Sequence, residues 1–299
     1  MRGYLLIAIA MVLPAGCAHE EEPAQAASSQ TTSGPAYTGG NVAPTTAEYG
    51  AGGAAPSGTT NAAQESTSFP THDAWHRGLM SAALELPSLT PAQRTQIQSL
   101  VDQRRSANAE AHAAHAELLN ALADAISSGT VSPAMLAPKV QELVAAVIAD
   151  QPTDRYLLET LHTALTPAQR VELANEAESR MNMLQQKSSA QGGRATWMAK
   201  ELGLTDAQES QIQANLRALE PAAERDMFTQ AREDHLRVLE AFKGDTFSMA
   251  TVMPVKTSDA IRQWVDHAVV MAEATAPVLT PNQRAIAASI LRGWAQKSR

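Results

Sequence analysis

Cysteine occurs once in this 299-residue chain, at position 17. A disulfide within the chain is therefore excluded. So is a thiolate-built zinc site, which needs several cysteines. Long apolar runs are missing too: the longest, residues 4–13, is about half of what a membrane-spanning helix requires. Strand signals are absent as a pattern. No sustained alternation of apolar and polar residues occurs, and Gly and Pro mostly cluster between helical stretches. There is no Gly-rich phosphate loop, no Gly-x-Ser-x-Gly and no His-Glu-x-x-His. The carboxylates are spread along helix faces beside Lys and Arg, the pattern of a solvated surface. The chain is accordingly expected not to be an enzyme and to carry no cofactor. A net charge of −8 argues against nucleic acid as a partner.

What is present begins with a layout typical of secretion: Arg2, the short apolar run, then Pro14-Ala15-Gly16-Cys17. Residues 1–16 are read as a signal peptide. Residues 17–68 are rich in Ala, Ser, Thr, Gly, Pro and Gln, and beyond Cys17 they contain no Leu, Ile or Met. Such a stretch cannot bury enough surface to offset its ordering entropy, so a disordered tether is expected there.

From residue 69 onward the composition is that of helices, and the fold class is expected to be all-α. An apolar stripe from Ile97 through Leu118 and Leu122 to Ile126 predicts one long helix over residues 91–127. A second stripe, from Ile212 through Leu239 to Phe242, predicts its counterpart over 206–243, kinked at Pro221. Each half adds a short helix before the long one, a third helix after it and a last helix, near 167–186 and 281–296. The third helix of the first half is expected to bend or break at Gln151-Pro152.

The strongest pattern is Leu-Thr-x-x-Gln, spelled four times: Leu89-Thr90-x-x-Gln93, Leu165-Thr166-x-x-Gln169, Leu204-Thr205-x-x-Gln208 and Leu279-Thr280-x-x-Gln283. Their first residues lie 76, 39 and 75 positions apart, two pairs of nearly equal internal spacing. Each copy reads as a helix start. The threonine hydroxyl accepts from a free backbone N–H, and the glutamine three residues on accepts from the N–H of the cap. Proline follows the threonine in three copies and Asp206 in the fourth, and both suit a first helical position. The position that would complete a hydrophobic staple is Arg94, Arg170, Glu209 or Arg284, so each leucine must pack elsewhere. Four such boxes in paired spacing indicate a duplicated helical unit.

On these residues the chain resembles the LTxxQ-motif family of periplasmic proteins, the Spy/CpxP-like proteins, in two tandem copies covering about residues 70–299. The family implies a bent helical hairpin that pairs into a thin curved cradle. Here that means two elongated helical-hairpin units of about four helices each, residues 69–187 and 188–299, packed as a curved pseudo-dimer. The resemblance further implies a periplasmic ATP-independent chaperone or envelope-stress protein, with unfolded or partly folded envelope proteins as partners. The alternatives on the same scaffold are a metal-responsive or sensor-binding regulatory module, whose partner would be a sensor protein, and a structural envelope lipoprotein. The Ala15-Gly16-Cys17 ending resembles a lipobox, which implies lipidation of Cys17 and a lipid anchor on the periplasmic face of a bacterial membrane, the outer membrane ahead of the inner.

Other candidates for chemistry are weaker. His72 and His76 are four apart and His112 and His115 three apart, spacings that share a helix face. His115 falls on the apolar stripe, where a core histidine explains it, and no metal site is expected. Eight methionines, Met80, Met181, Met183, Met198, Met227, Met249, Met253 and Met271, are either core filling or an adaptable binding surface. Arg217, Arg225, Arg232 and Arg237 lie along one long helix and Arg104 and Arg105 along the other, a candidate basic patch.

Overall fold

Helices account for most of residues 72–190, 199–219 and 221–298, the residues described in the computed structural model, and no strand occurs among them. The fold is all-α. The signal stretch, the tether and Cys17 lie outside the described residues. Among the described residues, ten α-helices have defined bounds, in order: α1 His72–Glu85, α2 Pro91–Ala107, α3 Ala109–Ser128, α4 Pro133–Ala164, α5 Pro167–Ala190, α6 Asp206–Arg217, α7 Pro221–Phe242, α8 Met249–Val252, α9 Ser258–Thr275 and α10 Pro281–Lys297. A 3-10 turn, Ala276–Val278, leads from α9 towards α10, and residues 199–202 are helical ahead of α6.

Apolar side chains gather into two cores, and each repeat supplies helices to both. One core is built from Leu118, Leu119, Leu122 and Ile126 of α3, Leu136, Val140 and Leu143 of α4, Ile212 of α6, Val269 and Met271 of α9, and Ala287, Ala288 and Leu291 of α10. The other takes Leu79 and Met80 of α1, Ile97 and Leu100 of α2, Leu157, Leu158 and Leu161 of α4, Leu173 of α5, Val238, Leu239 and Phe242 of α7, and Met249 of α8. Helix α3 of the first repeat has its broadest interface with α10 of the second, and α7 of the second packs on α5 of the first. The repeats are therefore interleaved rather than standing as separate tandem hairpins, and the described residues fall in one compact unit.

Where the chain passes from one core to the other, the expected long helices break. The 91–127 helix is two helices that meet at Asn108, which is buried and has φ −82 and ψ 4, outside α-helical values. Upstream of Asn108 the stripe faces one core, and downstream it faces the other. A straight helix cannot serve both, and asparagine, a poor helix former whose amide competes for backbone groups, is where the helix yields. In the second repeat α6 ends at Arg217 and α7 restarts at Pro221, so the expected kink is a break. Proline at the first helical position costs nothing there. The opposite holds for α4, which crosses between the cores as a single helix with Pro138 and Pro152 inside it. Of the bend or break expected at Gln151-Pro152, the break does not occur.

Candidate functional site

All four Leu-Thr-x-x-Gln boxes start helices, as their chemistry requires. The hydroxyls of Thr90, Thr166, Thr205 and Thr280 accept from the N–H of the glutamine three residues on, at 3.2, 3.4, 3.3 and 3.4 Å. Each glutamine Oε1 accepts from the threonine N–H in return, at 3.0, 2.9, 3.1 and 2.9 Å. Leu165 and Leu279 are buried, and Leu89 and Leu204 pack half-buried against the second and the first core. That settles where leucines without a staple partner go.

The boxes of each repeat also meet. Gln93 Nε2 donates to Gln169 Oε1 at 2.8 Å, and Gln169 Nε2 donates to Gln93 Oε1 at 3.2 Å. Each amide has a second donation to the carbonyl two residues before the other box's threonine: Gln93 to Ala164 at 2.9 Å and Gln169 to Ser88 at 2.8 Å. The second repeat repeats the arrangement. Gln208 and Gln283 exchange bonds of 2.7 and 3.1 Å and reach Val278 O at 2.9 Å and Gly203 O at 3.0 Å. Every glutamine thereby uses two acceptor sites and two donor hydrogens, the full capacity of a carboxamide. Gln169 and Gln283 are buried, and their partners are half-buried.

This pairing ties the start of α2 to the start of α5, and the start of α6 to that of α10. It escapes a reading based on capping alone. The signal was the residue type: glutamate caps as well as glutamine, yet all four copies have glutamine, the only one of the two with hydrogens to give. A saturated amide pair offers nothing to a ligand, so these twelve box residues position helices.

The arginines that follow three of the boxes extend the same scheme. Arg94 donates to the carbonyls of Leu84 and Leu86. Arg170, buried at the start of α5, reaches Asp245 of the other repeat at 3.1 Å. Arg284 donates to Leu279 O at 3.0 Å and lies over Gly129, where an added Cβ would come within 3.0 Å of its Cζ. Each second-box arginine thus abuts the loop that ends the long helix of the opposite repeat.

The other candidates separate into core and surface. His115 is fully buried, with Nδ1 3.2 Å from Ser298 Oγ, and among the described residues no group of three His, Cys, Asp or Glu could hold a metal. The side chains of His72 and His76 lie outside the described residues. Arg104 is no part of a basic patch: it is buried, with Nε 3.0 Å from Asp154 Oδ1. Arg105, Arg217, Arg232 and Arg237 are exposed, Arg237 pairing with Asp234 at 3.0 Å. Of the eight methionines, Met80, Met249, Met253 and Met271 are core residues, Met181 is half-buried and Met183 is exposed, while Met198 and the side chain of Met227 lie outside the described residues. Sequence inspection passed over His162 and Lys256. His162 is buried, and its pKa is lowered by that burial. His235 on α7 is pushed down to about 4 by burial first and then by Lys256, whose own pKa burial lowers.

The exposed surface carries large apolar side chains: Met135, 69% exposed, Tyr156, 63% exposed, and Val171, Met183 and Val255. Tyr156 borders a shallow depression with Gln96, Glu159, Thr160 and Thr163, and Met183 borders another on α5 with Asn175, Glu178 and Asn182. Both are open to solvent. No helix among the described residues is long and apolar enough to cross a membrane. Compared with family models, with curated proteins and with solved structures, the chain finds no match.

Proposed function

We propose that this chain is an ATP-independent periplasmic chaperone or envelope-stress protein of the Spy/CpxP-like kind, tethered by a lipid on Cys17, that holds unfolding envelope proteins weakly on its helical surface. The observation that carries the reading is the set of large apolar side chains left exposed on a helical body, Met135, Tyr156, Val171, Met183 and Val255. An unfolding client presents apolar segments of varied shape, and scattered Met, Tyr and Val side chains suit weak attachment to such segments. The four LTxxQ boxes support the family resemblance, and interleaving supports the idea that one chain supplies both halves of a pseudo-dimer.

The test is suppression of aggregation of a chemically denatured client, without nucleotide, by the body from Thr67 onward. Suppression near equimolar ratio is expected, weakened when Met135 and Tyr156 are both replaced by serine. No suppression at roughly tenfold excess, where even a weak micromolar binder would act, would overturn the reading.

A further inference from the structure

We propose that the loop between α7 and α8 is an acid-sensitive latch on the second core, with His162 as the group that takes up the proton. His162 stands near the end of α4, and its Nε2 lies 2.9 Å from the carbonyl oxygen of Gly244 in that loop. A carbonyl only accepts, so the neutral ring carries its hydrogen on Nε2. The ring stacks on Phe247, with centroids 5.2 Å apart and planes at 26°, and meets Phe242 edge-on at 5.2 Å and 86°. The two phenyl rings touch each other, also at 5.2 Å. One imidazole therefore holds the last residue of α7, the loop and the approach to α8 together.

The charged groups facing this ring come from two elements, Arg170 of α5 and Asp245 of the loop, themselves joined at 3.1 Å. On its own helix, Glu159 is engaged with the Met249 N–H at 2.7 Å. Arg170 opposes a second positive charge. Asp245 favours one, but its side chain is largely in water, which screens it. Burial, the largest effect, acts with Arg170 against the Gly244 hydrogen bond and Asp245, which favour the charged ring, and holds it below the usual histidine range. A proton is accordingly tolerated better once water reaches the ring, so acid favours the opened loop by linkage. The open-to-closed ratio then rises by no more than about tenfold per pH unit, because one proton is involved.

Opening would bare an apolar surface, because Phe247, Met249 and Met253 rest in the core that contains Leu157, Leu158 and Leu161. At the opposite core the loop contact is made by an arginine instead. The matching loop, at Gly129, lies against the guanidinium of Arg284, which does not titrate in this range.

The experiment is an apolar-dye titration of the full chain from pH 7.5 to 5, with helix content followed in parallel. A reversible rise in dye binding at constant helix content is expected. It should disappear in His162→Gln, which keeps an N–H for Gly244 but cannot titrate in this range, and persist in His235→Gln. His162→Phe serves as a second non-titrating variant should the first lose helix at pH 7.5. In the wild-type chain, the Gly244 and Phe247 amide resonances should move with the midpoint of the His162 ring. The proposal is overturned if the dye rise is missing, appears only as helix is lost, or survives in the folded His162 variant. It is equally overturned if those amides follow a different midpoint.

Discussion

Gln93 and Gln169, 76 residues apart in the chain, face each other and exchange hydrogen bonds of 2.8 and 3.2 Å. Gln208 and Gln283, 75 apart, do the same at 2.7 and 3.1 Å. The regular spacing of the boxes is thus the contour length between two helix starts that must meet. Each box does two jobs, capping its own helix and clasping its partner.

Glutamate at position 169 separates those jobs. Gln169→Glu keeps the acceptor for the Thr166 N–H but removes both donations, leaving carboxylate oxygen against Ser88 O and Gln93 Oε1. A cost of roughly 2–4 kcal/mol at pH 7 is expected, read from the denaturant midpoint. It should shrink below about pH 4, where a protonated Glu regains a donor. A double-mutant cycle with Gln93→Ala and Gln169→Ala should give a coupling of about 1–3 kcal/mol. Additive losses would mean that the amides only cap.

The buried pair Arg104–Asp154 occupies the place where α4 crosses between the cores. The second repeat, near the same offset, has Leu219, Ala268 and Val269 packed into its core. Asp154→Ala, which takes the carboxylate away from a buried guanidinium, is expected to cost about 3–5 kcal/mol, whereas Arg104→Leu with Asp154→Val should be near neutral. Urea unfolding of the three chains decides it.

Acid should weaken the fold through His235. Its folded pKa of about 4 lies below the ordinary 6.5, so the unfolded chain binds more protons between these values. Stability is full above about pH 6.5 and falls as pH drops towards 4, by about 3 kcal/mol in all. His162 acts in the same direction. In His235→Gln the difference in unfolding free energy between pH 7.5 and 5 should shrink by about 2 kcal/mol.

Two glycines with positive φ make a matched comparison. Gly129, at φ 82, lies under Arg284, whereas an added Cβ at Gly203, φ 61, would meet nothing. Gly203→Ala should cost about 1 kcal/mol from the backbone alone. Gly129→Ala should cost more, and adding Arg284→Ala should recover the excess, as thermal melts would report.

Much of this architecture was legible in the residues. The all-α class, all four helix starts and the burial of His115 follow from caps, periodicity and spacing. The break at Asn108 was hidden, because the stripe from Ile97 to Ile126 keeps its period while its two ends face different cores. Periodicity records that a face is buried, not which partner buries it. For the same reason interleaving left no local signal, and Arg104, charged and on the edge of the stripe, was placed on the surface. At Pro152 the helix runs on without a break, because a long helix packed at both ends tolerates one missing backbone bond. His162 carried no signal, since Gly244, Phe242 and Phe247 come from 80 or so residues away.

The interleaving of the two repeats can be measured directly. Asp124 of α3 and Arg292 of α10, 168 residues apart, meet at 2.6 Å. With Cys17 replaced by serine, cysteines at positions 124 and 292 should be joined by a short bismaleimide within single chains, giving a cross-linked monomer at high yield. Separate tandem hairpins would leave the pair unlinked, or link it only between chains, and either result would contradict the account.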